Sequence, residues 1–146
     1  MPSRDATTNW HGDLQSGAGT VTLDSSSAGT FPVSFPTRSS ETANGQTSPE
    51  ELVAAAHSAC YAMSLSSELA KAGTPAESLD VTAEVTLGRL PEGGLGLTSI
   101  VLTVEAVVPG SDDAAFQAAA AQAKVGCPIS KALAAVPISL EARLRS

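Results

Sequence analysis

The stretch SPEELVAAAHSACYAMSLSSELAKAGTP, residues 48–75, decides how the chain is read. Ser48 is a good N-cap, Pro49 has its φ preset for the first helical position, and Glu51 completes a Ser-x-x-Glu capping box. Leu52, Val53, Ala55, Ala56, Ala59, Cys60, Met63 and Leu65 then keep a wide apolar face running. Gly73 followed by Thr74-Pro75 ends the helix after about 24 residues by the usual C-terminal signals. The spacing therefore predicts one long, Ala-rich, mostly buried helix. Its small residues let a neighbouring backbone approach closely, so a packed helix partner is expected.

Downstream, Leu79, Val81, Ala83, Val85 and Leu87 alternate with polar residues. After Pro91-Glu92-Gly93-Gly94 a second alternating run holds Ile100, Leu102, Val104, Ala106 and Val108, which predicts a hairpin with one buried face. Asp112-Asp113 opens an Ala-rich helix to about Lys124, Gly126 breaks it, and Pro128 restarts a short helix that ends before Pro137. Ile138, Leu140, Ala142 and Leu144 alternate as a half-exposed final strand. Upstream, short strands are expected around Val21-Leu23 and Phe31-Phe35, and a polar loop over Thr37–Thr47. Strands, long helix, hairpin, two helices and a strand make an α+β chain. No repeat divides it, so residues 1–146 read as a single domain.

A hydrophobic fraction of 42% with 16% charged residues is too apolar for a disordered chain. Aromatics make up only 3%, so large core side chains are scarce and burial against a second subunit is attractive. A net charge of −7 has the wrong sign for neutralising phosphates, which argues against nucleic-acid binding. Residues 1–12 hold no apolar run of a targeting signal, and no stretch is apolar enough to span a bilayer, so the expectation is a cytoplasmic protein without a membrane partner.

The chemistry rests on few residues. Cys127 stands in a Gly-Cys-Pro joint at a helix start, where the helix dipole and free N–H groups lower a thiol's pKa; a helix break without reactivity produces the same tripeptide. Cys60 lies mid-helix, where a cysteine also packs as a small apolar residue. Arg38 is a lone arginine in the polar stretch, readable as a solvated charge or a site residue, and Glu50 sits in a first helical turn that the dipole alone would explain. His11, His57, Cys60 and Cys127 show no zinc-site spacing, and no nucleotide- or flavin-binding fingerprint occurs, so no metal or cofactor is expected.

Residues 48–63 together with Ala123-Lys124-Val125-Gly126-Cys127-Pro128-Ile129-Ser130 form a pair of signatures. With Trp10-His11-Gly12-Asp13, Gly19-Thr20-Val21, Thr37-Arg38 and Val108-Pro109-Gly110, the chain resembles the OsmC/Ohr family of thiol-dependent peroxidases over nearly its whole length. Pro-Glu-Glu-Leu and Ala-Ala-His-Ser-Ala-Cys lean toward the OsmC branch. The resemblance implies an intertwined homodimer with long central helices packed against antiparallel β-sheets. It further implies that Cys60 attacks a hydroperoxide and becomes a sulfenic acid, that Cys127 resolves it as a disulfide, and that Arg38 and Glu50 stand beside the reactive sulfur. A dithiol or lipoylated protein would be the reductant, with no metal, haem or flavin.

Local sequence makes Cys127 the better thiolate, whereas the resemblance makes Cys60 the attacker. Cys60 lies about 12 residues into its helix, roughly 18 Å from the N-terminus, too far for the dipole to help, so it needs a cation and Arg38 is the candidate. Ten residues separate Glu50 from Cys60, about 15 Å of helical rise, so shared sites between antiparallel helices of two subunits are expected. Tyr61, Met63, Leu52 and the Phe residues are candidates for lining a substrate pocket. A competing reading from another class is a small-ligand-binding or stress-structural dimer whose buried thiols are inert.

Overall fold

The computed structural model describes residues 1–145, and the chain falls into two compact units, Met1–Leu52 and Val53–Ser146. In the first unit, β1 (Thr7–His11), β2 (Ala18–Thr22) and β3 (Thr30–Val33) form an antiparallel meander in the order β1-β2-β3. Polar turn residues between short β-branched runs favour tight reversals, and Asp13 closes the first by accepting from the Gln15 and Ser16 N–H groups, both at 2.8 Å. The sequence pattern placed β2 and β3 but passed over β1, which lacks hydrophobic alternation and is exposed along its length.

The polar stretch expected as a loop begins with a one-turn helix, α1 (Phe35–Arg38). Ser34 caps it by accepting from the Thr37 N–H, and Pro36 suits its first turn. Arg38 is its last residue.

Helix α2 (Pro49–Lys71) starts where the N-cap signal put it. The Glu51 N–H donates to Ser48 Oγ at 3.2 Å. The reciprocal half of the capping box does not form, because the Glu51 carboxylate accepts from the Thr47 hydroxyl at 2.6 Å instead. At the other end Gly73 takes φ +81°, and the Gly73 and Thr74 N–H groups donate to Ala70 O and Leu69 O. This left-handed turn closes the last carbonyls of the helix and suits glycine.

In the second unit, β4 (Ser78–Arg89) and β5 (Leu95–Val107) form the expected hairpin, with a register shift at Thr86/Leu87. Helices α3 (Asp113–Gly126) and α4 (Pro128–Ala132) follow, and β6 (Ile138–Arg145) pairs parallel to β5, from Ile100↔Ile138 to Val107↔Arg145. A parallel neighbour needs a crossover, and α3 with α4 supplies it. The sheet is therefore mixed, antiparallel at β4/β5 and parallel at β5/β6.

One face of β5 carries Leu102, Val104 and Ala106 into a core shared with Tyr61, Leu65 and Leu69 of α2 and Phe116, Ala120 and Ala123 of α3. Residues 57, 61, 65 and 69 follow the four-residue helical spacing and are all buried. The opposite face of α2 departs from the expectation of a mostly buried helix: Ala55, Ala56, Ala59 and Met63 are exposed in the single chain. No helix among the described residues is long and apolar enough to cross a membrane.

Candidate active site

Cys60 projects from α2, and Cys127 sits where α3 ends and α4 begins. Packing of α2 against α3 brings their sulfurs to 3.1 Å although they lie 67 residues apart in the chain. This is about 1 Å longer than a disulfide bond, close enough that two thiols share a proton and a small movement joins them. Cys127 is fully buried and Cys60 is partly exposed, so the latter is the sulfur a solute reaches first.

Burial pushes the Cys60 thiol up, and its hydrogen bond with Cys127 pushes it further. Burial would raise Cys127 as well, but the Cys60 thiol, the N–H and hydroxyl of Ser130 and the Ile129 N–H together hold it below an ordinary thiol. Within this unit Cys127 is therefore the sulfur that ionises more readily, in agreement with the reading of its Gly-Cys-Pro joint. Its sulfur makes no formal N-cap hydrogen bond, so the effect comes from nearby dipoles rather than from a helix cap.

His57 stands three residues before Cys60 on α2, and Ser130 three residues after Cys127 on α4. Their side chains meet at 2.8 Å from His57 Nε2 to Ser130 Oγ, in the interior. His57 Nδ1 is buried without a partner, and desolvation lowers the imidazole pKa. Sequence reading weighed His57 only as a metal ligand. The available signal was the matching three-residue offset, which puts His57 with Cys60 and Ser130 with Cys127 on common helix faces.

In the first unit, α1 ends on Arg38 and Glu50 stands in the first turn of α2, and the two meet in a forked ion pair. Arg38 Nη2 donates to Glu50 Oε1 at 2.8 Å, and Nε lies 3.2 and 3.3 Å from the two carboxylate oxygens. Glu50 is buried, which opposes its charge, yet the Arg38 hydrogen bonds, its own backbone and the guanidinium charge hold its carboxyl below the usual range. The guanidinium's remaining amino group, Nη1, has no protein partner among the described residues.

Arg38 also borders a cavity of about 400 Å³ whose wall is mainly apolar, with Trp10, Leu14, Val21, Val33, Phe35 and Leu52. Leu52 and one Phe thus line a pocket as expected. Tyr61 does not: it is a core residue whose hydroxyl donates to Ala120 O at 3.1 Å, and burial pushes its pKa far up. Met63 is exposed and Phe116 is buried in the core. No group of three or more His, Cys, Asp or Glu side chains among the described residues is placed to hold a metal ion.

A mixed α+β fold that sets two thiols face to face, one buried and one partly exposed, with an arginine–carboxylate fork on a separate unit, defines a cysteine-based redox protein. Residues 42–141 match the family described as OsmC-like protein. The chain is 42% identical over 138 residues, 94% of each chain, to peroxiredoxin OsmC of Escherichia coli (strain K12) and equally to that of Shigella flexneri. Among solved structures it is similar to an organic hydroperoxide resistance protein from Elizabethkingia anophelis, with TM-score 0.78, 26% identity, and coverage of 99% of this chain and 98% of the other. The fold is shared with OhrB of Bacillus subtilis, at TM-score 0.70 and 22% identity over 97% of this chain and 98% of that one. The chain belongs to the OsmC family.

Proposed function

We propose that this chain is a thiol-dependent peroxidase that reduces organic hydroperoxides, and hydrogen peroxide as a smaller substrate, with Cys60 as the attacking sulfur and Cys127 as the resolving one. The observation that carries this reading is the 3.1 Å contact between the two sulfurs. In the reactive monoanion of the pair one proton lies between them. With the proton on Cys127, the Cys60 thiolate attacks the terminal oxygen of ROOH; the S–O bond forms as the O–O bond breaks, giving Cys60–SOH and an alkoxide. The alkoxide leaves as ROH with the shared proton. Cys127, now a thiolate, attacks the Cys60 sulfur, the S–S bond forms as the S–O bond breaks, and hydroxide leaves into solvent carrying the charge that the thiolate brought in. A dithiol or lipoylated protein then reduces the disulfide and is itself oxidised.

The first step needs the charge to move from Cys127 to Cys60. Arg38, oriented by Glu50, is the cation proposed to do this, by stabilising negative charge on the attacking sulfur and the peroxide oxygens. The apolar cavity beside Arg38 supports an organic hydroperoxide, whose alkyl part it would hold. The exposed Ala55, Ala56, Ala59 and Met63 face of α2 supports a homodimer in which paired helices cover that surface and subunits share sites, the 146 residues working as a single domain. The reducing cytoplasm is the compartment that suits a cycling dithiol.

The test is intact mass after one equivalent of hydroperoxide. Loss of two protons, with Cys60 and Cys127 in one cross-linked peptide, supports the peroxidase; an unchanged mass means inert buried thiols and overturns it.

A further inference from the structure

The pair His57 and Ser130 has no part in the cycle just described, yet it is buried, with Ser130 in the short helix that starts at the resolving cysteine. His57 is fully buried, and its Nε2 lies 2.8 Å from Ser130 Oγ. Ser130 is buried too, and it belongs to the same helical turn as Cys127, whose carbonyl accepts the N–H of the next residue, Lys131, at 3.0 Å.

The unpartnered His57 Nδ1 shows which way this contact is polarised. A neutral imidazole carries one N–H and one bare nitrogen. A buried N–H without an acceptor is rarer and more costly than a bare acceptor without a donor, so the bare nitrogen belongs at Nδ1 and the proton at Nε2. His57 Nε2–H must then donate to Ser130 Oγ. The hydroxyl's own proton is left pointing away from the ring, and Cys127, three residues earlier at the start of the same helical turn, offers its sulfur as an acceptor.

We propose that His57 and Ser130 are positioning residues for the resolving half-reaction: the His57 Nε2–H fixes the Ser130 hydroxyl as a donor to Cys127 Sγ, holding that sulfur as the thiolate that closes the disulfide. This rests on the assignment of Cys60 as attacker and Cys127 as resolver, and it adds a division of labour. Arg38 and Glu50 serve the oxidation of Cys60. His57 and Ser130 serve the consumption of its sulfenic acid. No proton is transferred through Ser130; hydroxide leaves the sulfenic acid into solvent, and the donor chain acts by holding and orienting the Cys127 thiolate.

The experiment is a single turnover of the reduced protein with one equivalent of cumene hydroperoxide, quenched at intervals. Sulfenic acid is trapped with dimedone and disulfide is read by intact mass. In the wild-type protein sulfenic acid is transient. In Ser130→Ala and His57→Leu the disulfide step slows about tenfold or more relative to the oxidation step, and dimedone adduct accumulates. Ser130→Thr and His57→Gln, which retain a hydroxyl and an N–H donor, restore most of the rate. In a Cys60→Ser background, Ser130→Ala lowers the ultraviolet absorbance of the Cys127 thiolate. Ser130→Ala changes little volume, so it reads the donor chain even if His57→Leu fails to fold. Disulfide formation at the wild-type rate in Ser130→Ala, or equal slowing of both steps, overturns the proposal. A wild-type protein that forms neither sulfenic acid nor disulfide overturns the peroxidase reading itself.

Discussion

The unit Met1–Leu52 buries little: β1 is exposed throughout, and Val21 is its only hydrophobic side chain in the buried core. The unit Val53–Ser146 encloses Tyr61, Leu65, Leu69, Phe116 and the apolar face of β5 around its sulfurs. In the cycle proposed above, each carries one half of a thiol peroxidase's requirements. The first supplies a cation whose guanidinium is about one-third exposed, and the second supplies two desolvated thiols, one of them pushed up by burial. A cation in water does little for a distant sulfur, and a buried thiol without a cation stays protonated. Neither unit alone makes an attacking thiolate of Cys60.

The sharpest way to break this division is to remove the cation. Arg38→Ala should leave the fold of Val53–Ser146 intact, raise the Cys60 pKa in a thiolate titration, and lower kcat/KM by roughly 100-fold, the usual effect of losing one preorganised donor. Arg38→Lys should not restore it, because a point ammonium cannot keep the fork to Glu50 and reach a sulfur as well. An unchanged thiol pKa in Arg38→Ala would remove Arg38 from the site.

The exposed small residues of α2 give the next effect. Ala59→Arg introduces a long charged side chain on a face that a second α2 is proposed to cover, so the variant should sediment as a monomer and lose most turnover. A wild-type protein that stays monomeric at all concentrations would show that the face serves another purpose.

Acid should destabilise the fold in stages. The His57 pKa is lowered from 6.5 by burial, so below 6.5 the unfolded chain binds a proton that the folded one refuses, and stability falls as pH drops. Glu50 is likewise lowered, from 4.5, so its pairing with Arg38 stabilises fully above that value and is lost as pH falls through the folded pKa. Urea titrations across this range should show a shallower upper limb in His57→Leu and a shallower lower limb in Glu50→Gln.

How much of this was legible in the sequence depends on whether the signal was local. The start and stop of α2 could be read from Ser48, Pro49 and Gly73, and the hairpin from its alternation, because caps and periodicity act within a few residues. The parallel pairing of β6 could not: Ile138–Arg145 alternates in the same way whichever strand edge it joins. The two cysteines were singled out by their motifs, but their 3.1 Å approach is a product of α2 packing on α3, 67 residues apart. The resemblance put Arg38 and Glu50 at one site, but that a single chain joins them through α1, one turn capped by Ser34, is what a polar composition conceals. His57 and Ser130 were in view as letters of the motifs, and only the fold shows that they touch.

The smallest effect tests whether the first turn of α2 matters for its shape or for one carboxylate. Glu50 and Glu51 are neighbours with equal claims on the helix dipole, yet Glu50 is buried against Arg38 while Glu51 is exposed. Glu50→Ala leaves Arg38 without its fork, so kcat/KM should fall nearly as far as in Arg38→Ala, with little change in melting temperature. The Ser48 cap survives in Glu51→Ala, because it is the backbone N–H of residue 51 that donates to Ser48. What is lost is the Thr47 hydroxyl contact and a favourable charge at the helix start, about 0.3–1 kcal/mol. Glu51→Ala should therefore melt slightly earlier, by a few degrees at most, and turn over at the wild-type rate. Equal kinetic losses in the two variants would show that the site depends on the helix start as a whole rather than on the Arg38–Glu50 pair.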